Sequence, residues 1–507
     1  MEGQIADSQH ALELATTEYL NERATLHPPL RASTEPSLSH LDETSENCDG
    51  FIESTREELL RIELALKTAR NQQAFINRLP PELHAKIFEY DLDANKPDIN
   101  TRTVSSIRLS RIVSLSAVCT HWRKLVVGTG SFWSHIPIHL SENLVALCVK
   151  RANSIPLEVM AINKKRGAKN GSNRISKGEN ALRGHSHNIQ SLTVSAFILE
   201  RIHSLINCVL ESSIPRSLRE LSVTYTKANW THEAPTEPDT RPKIRLDTLT
   251  KDLYTLRLRG IYIDWNECAF EKLCMLKLDG LHALRLAELE QALVASPMLQ
   301  VLEISRSELY GSRTSSKPLA LPHLKTLRLI YMEAALGMIV DMLEPGDYTT
   351  ELDVSMYCAM KPPLVSKEAW IQELQRIVPK MCHVTVLGIR NEPHVLEEAS
   401  FLSIDDIIAL PDLITLRLQG FPLEPKPILV LEKVLQSLPQ INKLQLRRVI
   451  IKSTETFQDM IERCAVQRIE LINCRVYSGG KILRIERGTP LYKWALESAP
   501  RVSLLWE

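Results

Sequence analysis

The six residues Leu413-Ile414-Thr415-Leu416-Arg417-Leu418 give the clearest instance of the pattern that decides the fold, L-x-x-L-x-L. With Ile and Val also accepted at the apolar positions, the pattern recurs along the C-terminal part of the chain. The other instances, each given by its apolar residues, are Ile189/Leu192/Val194, Leu218/Leu221/Val223, Leu253/Leu256/Leu258, Leu273/Leu276/Leu278, Leu299/Leu302/Ile304, Leu324/Leu327/Leu329, Val384/Leu387/Ile389, Ile441/Leu444/Leu446, Val466/Ile469/Leu471 and, more weakly, Leu352/Val354.

The spacing of these hexads predicts a repeat array. Their central apolar residues lie 20 to 35 residues apart, mostly near the roughly 20–29 residues of a leucine-rich repeat. The fourth and sixth residues of each hexad are apolar and are separated by one other residue. This alternation predicts a strand with one buried face. One strand and one helix cannot bury a core alone, so the units must stack into an α/β solenoid.

Helical stretches separate the predicted strands. The 3.6-residue apolar period indicates helices at 284–295, 332–343, 370–378, 428–438 and 456–464, and a last helix before a capping strand at 502–506. Pro297, Pro379 and Pro439 each follow such a stretch and cannot continue a helix.

The array, residues 189–507, resembles leucine-rich repeats with one departure. The ninth position of the repeat, often Asn or Cys, fits only at Cys474. We therefore expect an irregular horseshoe that lacks a regular asparagine ladder.

Residues 77–140 differ in character and predict a small helical module. Pro80 and Pro81 suit a helix N-terminus, and Leu83, Ile87 and Phe88 then form an apolar face. After a polar stretch at 93–102, a second helical face is predicted from four residues: Leu115, Val118, Cys119 and Trp122. Such a small module has much apolar surface for its size, which is typical of modules that dock on a partner.

The motifs of this module resemble the F-box, most closely the F-box-like domains abundant in fungi. The resemblance rests on Leu79-Pro80-Pro81-Glu82-Leu83, Ile87-Phe88, Val118-Cys119, Trp122-Arg123 and Phe132-Trp133 in that order. The gap between Phe88 and Val118 is long for an F-box.

The resemblance implies a partner and a docking face. The partner is an SKP-family adaptor of a cullin ubiquitin ligase. The implied docking residues are Leu79, Pro80, Pro81, Leu83, Ile87, Phe88, Val118, Cys119 and Trp122. From the residues alone, each of these side chains is equally consistent with filling the core of the module.

The N-terminal region divides at residue 50. Residues 1–50 contain ten acidic residues against two arginines and are rich in Ser, Thr and Pro, so we expect a mostly disordered acidic tail. Residues 51–76 carry an apolar stripe of Ile52, Leu59, Ile62 and Leu66, which predicts an amphipathic helix packed on the next domain. A two-chain coiled coil is the alternative, although the stretch supplies barely three heptads.

Residues 141–188 are expected to link the module to the repeats through a helix, a strand and a basic loop. The loop, 163–188, holds seven Lys and Arg residues against Glu179 alone. Binding of nucleic acid there would be salt-sensitive and lost on deletion of the loop, but no aromatic residue is available to stack on bases. With 61 basic and 61 acidic residues in the 507-residue chain, nucleic acid is an unlikely partner.

The sequence shows no pattern of an enzyme or of an exported protein. It carries no phosphate-binding loop, no H-E-x-x-H and no G-x-S-x-G motif, and its ten cysteines form no C-x-x-C pair. We therefore expect neither an enzyme nor a protein with a cofactor or metal. The N-terminus lacks a signal-peptide pattern and no apolar run is long enough to span a membrane, which favours an intracellular protein of the cytoplasm or nucleus.

Three functions are consistent with these observations. The first is a ligase adaptor that presents a protein substrate, the second is a protein–protein scaffold in which the module only caps the solenoid, and the third is nucleic-acid binding. The residues between the leucines are rich in arginine, which predicts an acidic or phosphorylated target. The candidate target-binding residues are Arg257, Arg259, Lys277, Arg328, Arg390, Arg417 and Arg447.

Overall fold

The architecture is that of a computed structural model of the chain. It describes residues 38–94, 102–162, 178, 181–182, 184–196, 199–211, 218–225, 246, 251–265, 268–281, 284–307, 309–332, 335–355, 372, 376–381, 383–390, 410–438, 440–464, 466–478, 480–485, 489–498 and 502–505. The tail up to residue 37 and most of the basic loop 163–188 lie outside these residues. The chain divides into two compact units, Met1–Pro80 and Pro81–Glu507, which are described separately.

The first unit is dominated by one long helix, α1 (Leu38–Gln73), followed by a 3-10 turn at Phe75–Arg78. The disorder expected to residue 50 was wrong for 38–50, and the helix predicted at 51–76 begins earlier and ends earlier. A polar segment that contains no proline can join a helix that has already formed, because each added residue gains a hydrogen bond without a new nucleus.

The second unit opens with four helices that include the predicted module. They are α2 (Pro81–Ala94), α3 (Arg102–Val118), α4 (Thr120–Gly128) and α5 (Glu142–Ala152). A 3-10 turn at Gly130–Trp133 leads from α4 into the first strand.

A parallel sheet of fourteen strands follows, in an order that tracks the sequence. Its strands are β1 (His135–Pro137), β2 (Leu157–Ile162), β3 (Ile189–Ala196), β4 (Glu220–Tyr225), β5 (Thr255–Arg259), β6 (Met275–Asp279), β8 (Val301–Ser305), β10 (Thr326–Ile330), β11 (Thr349–Ser355), β12 (Val384–Arg390), β13 (Thr415–Gln419), β15 (Lys443–Arg447), β17 (Arg468–Ile472) and β20 (Val502–Leu505). Each of the eleven hexads contributes one strand. The result is an α/β solenoid-like repeat, as predicted.

Short strands follow several of these and form two smaller sheets. They are β7 (Leu284–Arg285) with β9 (Leu309–Tyr310), and β14 (Pro422–Leu423), β16 (Ile450–Ile451), β18 (Arg475–Ser478) and β19 (Lys481–Arg484).

Apolar residues of neighbouring strands are in register and form continuous rows in the core. Leu221, Leu256, Leu276, Leu302 and Leu327 are successive partners across five strands, and each is nearly inaccessible to solvent.

The weak hexad Leu352/Val354 departs from this register. Leu329 pairs with Leu352, so that Leu327 meets Thr350, which is buried. An irregularity between Thr350 and Glu351 then aligns Leu352 with Leu387. A shift of two residues keeps the same faces inward, so the sheet continues without a break.

Helices occupy many of the connections between strands. They are α6 (Leu199–Glu211), α7 (Leu286–Val294), α8 (Leu336–Met342), α9 (Pro425–Ser437), α10 (Thr454–Arg463) and α11 (Pro490–Glu497). The helices predicted at 332–343, 428–438 and 456–464 are present with shifted ends, whereas the helix predicted at 284–295 starts only after β7. The helix predicted at 370–378 falls largely outside the described residues.

A left-handed residue directly after the strand is shared by seven repeats. Three are glycines with φ of 62° to 77°, and four are other residues with φ of 47° to 52°. Each donates its backbone N–H to the carbonyl of a residue on the next strand or directly after it, at 2.7–3.0 Å. The seven residues are Gly260, Gly280, Arg306, Tyr331, Gly420, Arg448 and Asn473. This ladder of backbone bonds turns the chain out of the sheet at the same place in every one of these repeats.

Two side chains at the ninth position add bonds between repeats. The hydroxyl of Ser307 accepts a hydrogen bond from the Leu281 backbone N–H at 3.1 Å, and Cys474 Sγ donates to the Leu446 carbonyl at 3.2 Å. The expectation that only Cys474 would suit this position was therefore too narrow.

Candidate docking site and repeat face

Helix α2 has two different apolar faces. His84, Phe88 and Leu92, spaced by four residues, are buried. Leu83 and Ile87 lie on another face and remain 47% and 44% exposed. The i, i+4 spacing places each set in one line along the helix, so the first set holds the module together and the second is available to a partner.

The inward face of α2 packs in an aromatic core. The rings of Phe88 and Trp122 have centroids 4.7 Å apart, and Phe132 lies 6.3 Å from Phe88. The indole N–H of Trp133 donates to the Val126 carbonyl at 2.8 Å. Phe88 was assigned to docking by resemblance, but it is 2% exposed and fills this core. Trp122 is half-buried against it.

The predicted helical face from Leu115 to Trp122 is interrupted at Cys119. This residue has an extended backbone, with φ −158° and ψ 170°, and separates α3 from α4. Its Sγ accepts a hydrogen bond from the Trp122 backbone N–H at 3.5 Å. Cys119 is therefore a helix N-cap and only partly accessible, while Val118, the last residue of α3, is 57% exposed.

Two arginines of α3 join that helix to the end of α2. Arg108 forms an ion pair with Asp93 at 2.7 Å, and Arg111 donates to the Asp91 carbonyl at 2.9 Å. A cation that donates to the last carbonyls of a helix also interacts favourably with the helix dipole. These two arginines thus help to hold the helices of the module together.

The remaining docking candidates differ in accessibility. Pro81 is exposed, and in the first unit Pro80 is exposed while Leu79 is half-buried. The structure adds exposed apolar side chains that the motif did not include, among them Tyr90 on α2 and Val113 on α3, which are 78% and 56% exposed. The sequence does indicate that Tyr90 lies beside Ile87, because it follows Ile87 by three residues on the same helix.

A buried histidine was not anticipated. His84 has no accessible surface, and within the described part of the chain neither ring nitrogen has a hydrogen-bond partner. Its ring lies edge-on to His121, with centroids 5.5 Å apart, and close to Trp122. The sequence does place His84 four residues before Phe88, which is the spacing of a shared inward face.

The outward face of the sheet carries both signs of charge. Lys277 pairs with Glu303 at 2.7 Å, and Arg328 lies between Glu303 and Glu351 at 3.6 and 3.0 Å. Burial alone would lower the pKa of Arg328, but the two carboxylates raise it. The arginines of this face are thus interleaved with acidic residues of neighbouring strands in the same row.

Other members of the candidate target-binding set are also paired. Arg257 lies 3.9 Å from Glu220, and Arg259 lies 3.3 Å from Asp279. Arg390 stacks on the ring of Tyr331, with its guanidinium carbon 5.0 Å from the ring centroid.

Arg417 reaches Asp353 across an intervening strand. Its Nη1 lies 2.7 and 3.0 Å from the carboxylate oxygens. Gly388 occupies the strand between them, and an added Cβ would lie 2.5 Å from the Asp353 Cγ. The absence of a side chain at Gly388 therefore permits this ion pair. Burial raises the pKa of Asp353, although the positive charge of Arg417 acts to lower it.

Comparison with known families locates the helical module. A family model described as F-box-like matches residues 76–139. Residues 76–139 are an F-box-like domain. The match covers the predicted module and both faces of α2. No curated protein matches the chain.

One solved structure shows a distant likeness to the chain. A crystal structure of a protein from Bacteroides fragilis is 11% identical, with a TM-score of 0.32, and the match covers 59% of this chain and 77% of that one.

Among the described residues, no group of three or more His, Cys, Asp or Glu side chains is placed to hold a metal ion. None of the helices in the described ranges is long and apolar enough to cross a bilayer.

Proposed function

We propose that this protein is the substrate-recognition adaptor of an SKP–cullin–F-box ubiquitin ligase. The F-box-like domain docks on the SKP-family adaptor, and the repeats hold a protein target. The chain performs no bond chemistry and uses no cofactor; it raises the effective concentration of the target near the charged ubiquitin-conjugating enzyme. We further propose that this chain is an F-box-like protein of the fungal type and that its C-terminal repeats are leucine-rich repeats. We expect it to act in the cytoplasm, the nucleus or both.

The observation that carries this proposal is the exposure of Leu83 and Ile87 within the matched domain. If the module served only as a cap on the repeats, its apolar side chains would be covered by the array. The inner side of the module does share the core of the sheet, through residues such as Phe132 and Ile136. The outer side of α2 stays accessible, which supports a separate partner because exposed apolar surface of this kind marks interaction sites.

Co-purification with an SKP-family adaptor tests the proposal. The Leu83→Ala/Ile87→Ala double variant should lose most of the bound adaptor while its urea unfolding stays close to that of the wild type. Leu429→Ala is the matched control, because Leu429 on α9 is 49% exposed and lies outside the module. Leu79→Ala/Pro80→Ala tests the beginning of the motif in the same way.

The scaffold hypothesis is the alternative, and the same experiment separates the two. Failure of the folded wild type to bind the adaptor contradicts the ligase proposal and leaves a protein–protein scaffold. Equal capture by the wild type and the Leu83→Ala/Ile87→Ala variant would mean that α2 is not the docking element.

We propose that the outward face of the sheet binds the target. Because its cations are interleaved with carboxylates, the partner must match a pattern of both signs, with acidic or phosphorylated groups opposite the arginines. A pull-down with the proteasome blocked should lose its specific partners in the Arg259→Glu/Arg328→Glu variant. Lys426→Glu, an exposed change on α9, is the control. An unchanged set of partners would exclude this face.

A further inference from the structure

Helix α1 presents an apolar stripe that no described part of the chain covers. Every residue from 45 to 70 is exposed. Ile52, Leu59, Ile62 and Leu66 are 62%, 55%, 39% and 56% exposed. The predicted packing of this helix on the next domain stays a prediction, and these four side chains are available to a partner.

The helix also has little else to stabilise it. Its ion pairs among the described residues are local and exposed: Arg56 with Glu53 at 3.9 Å, Arg61 with Glu58 at 3.3 Å, and Lys67 with Glu63 at 2.5 Å. Such pairs contribute only a few tenths of a kcal/mol, about 0.3–0.5 each. Most helical stability in proteins comes from packing of an apolar face, and within the described part of the chain nothing packs on the stripe of this 36-residue helix.

The stripe follows a heptad repeat from Cys48 to Gln73. With Ile52 as position a, the a positions hold Ile52, Leu59, Leu66 and Gln73, and the d positions hold Cys48, Thr55, Ile62 and Ala69. A seam at a and d with a period of 3.5 residues is the geometry of a two-stranded coiled coil.

The flanking charges identify the partner. The e positions hold, in order, Asp49, Arg56, Glu63 and Arg70. Their signs alternate, and in an antiparallel pair the e flank of one helix faces the e flank of the other. With two copies of α1 reversed about the centre of this segment, Asp49 meets Arg70 and Arg56 meets Glu63, each pairing occurring twice.

Other arrangements of the same helices bring like charges together. Sliding one helix by a heptad in either direction sets Arg56 against Arg56 or Glu63 against Glu63. In a parallel pair, g faces e of the following heptad, so Glu58 meets Glu63 on both sides of the seam. The e and g charges of coiled coils select orientation and register in this way.

The same antiparallel register sets Leu59 opposite Ile62 at the centre of the seam. On either side it packs a large side chain against a smaller one, Ile52 opposite Ala69 and Leu66 opposite Thr55. We propose that α1 of this chain pairs with α1 of a second copy in an antiparallel coiled coil of this register. The proposal does not depend on the ligase function.

Sedimentation of the full-length chain tests the assembly. We expect a mass near 2 × 57.5 kDa = 115 kDa for the wild type. Leu59→Asp should yield the 57.5 kDa monomer, whereas Leu64→Asp should remain dimeric, because Leu64 is 63% exposed at position f, away from the seam. A wild type that is monomeric at all concentrations overturns the proposal, even if another chain binds α1.

Charge reversal distinguishes the two orientations without disturbing the apolar seam. Glu63→Arg should weaken the dimer about tenfold, because it sets arginine against Arg56 on both sides. Adding Arg56→Glu should restore the affinity. In a parallel dimer Glu63→Arg would instead strengthen association by relieving the contact with Glu58, and this outcome would refute the antiparallel arrangement.

Thiol cross-linking gives an independent readout of orientation. Cys48 is exposed at a d position, and in the proposed register it faces Gln73 of the other copy. Mild oxidation of the Gln73→Cys variant should join Cys48 to the introduced cysteine, identified by mass spectrometry of the peptides. A Cys48–Cys48 link between copies as the main product contradicts the proposal.

Discussion

Replacement of Glu290 by Gln should destabilise the repeat domain more than any other exchange of one acid for its amide. The Glu290 carboxylate is 4% exposed on α7. One oxygen accepts from Arg313 Nε and Nη2 at 3.2 and 3.0 Å. The other accepts from the Thr314 N–H and hydroxyl at 2.7 and 2.6 Å, and from the Ser315 N–H at 3.3 Å. One carboxylate thus fixes the loop between β9 and β10.

The magnitude follows from the number of donors. A glutamine can offer its single oxygen to only one of the two groups of donors, and its amide N–H groups then face the other. At least two hydrogen bonds to a charged group are lost, each worth about 1.5–3 kcal/mol. Since the side chains have nearly the same volume, no cavity is added, and we expect a loss of about 3–4 kcal/mol, in line with a broken buried ion pair.

Urea unfolding and hydrogen exchange measure this effect. Glu290→Gln should shift the unfolding transition and speed exchange of the Thr314 and Ser315 amides, while Glu462→Gln, an exposed change on α10, should leave both near the wild type. A transition within about 0.5 kcal/mol of the wild type would refute the assignment of Glu290 as the centre of this network.

The pH dependence of the same variant tests whether the hydrogen bonds to Glu290 stabilise its charged form. Burial alone would raise the pKa of Glu290, but the bonds from Thr314, Arg313 and Ser315 lower it below its ordinary value. A depressed folded-state pKa stabilises the fold above the unfolded-state pKa, and this contribution is lost as pH falls through the folded-state pKa. The stability difference between the wild type and Glu290→Gln should therefore shrink below about pH 4, and a difference that stays constant there contradicts the account.

Three further experiments, two with substituted chains and one with thiol labelling, test other features. Arg448→Gly should raise the unfolding free energy by about 0.5–1 kcal/mol, because glycine relieves the left-handed φ of 51° at a smaller cost in unfolded-chain entropy; a lower stability in urea would contradict this. Gly388→Ala should cost about 2 kcal/mol by displacing the Asp353 side chain, and an unchanged urea midpoint would show that the strands adjust freely. Burial raises the pKa of the Cys474 thiol to about 12, so iodoacetamide at pH 8 should label Cys48 long before Cys474, as read by mass spectrometry, whereas equal labelling would show that the native fold opens readily.

The strands were predictable because their signal is local. Two apolar residues separated by one, as at Leu416 and Leu418, define a buried strand face within a hexad, and all eleven hexads are strands. The weakness of the Leu352/Val354 hexad was the sequence signal for the two-residue register shift at β11.

The charge pairing on the sheet face was present in the sequence but required an alignment of the repeats. The fifth residues of successive hexads are Lys277, Glu303 and Arg328, and parallel pairing sets them side by side. Counting the arginines without regard to this order suggested a basic face. The Asp353–Arg417 pair was harder to foresee, since it depends on the missing side chain at Gly388.

Three features could not be predicted from local patterns. Arg306, Tyr331 and Arg448 take the left-handed conformation, although nothing in their side chains favours it; the turn after each strand imposes it. The helical state of residues 38–50 depends on propagation from the apolar stretch beyond them. For Phe88, spacing alone could not separate a core residue from a docking residue, because Ile87 next to it faces the other way.

The strand order has a consequence for synthesis of the chain. Each strand of the large sheet pairs with the strand that precedes it along the sequence, apart from the short strands. A ribosome adds roughly 5–20 residues per second, so a repeat such as that from Leu302 to Leu327 emerges within a few seconds. Every new strand then meets an edge that is already formed, and the solenoid can grow vectorially from its F-box-like end without waiting for the C-terminus.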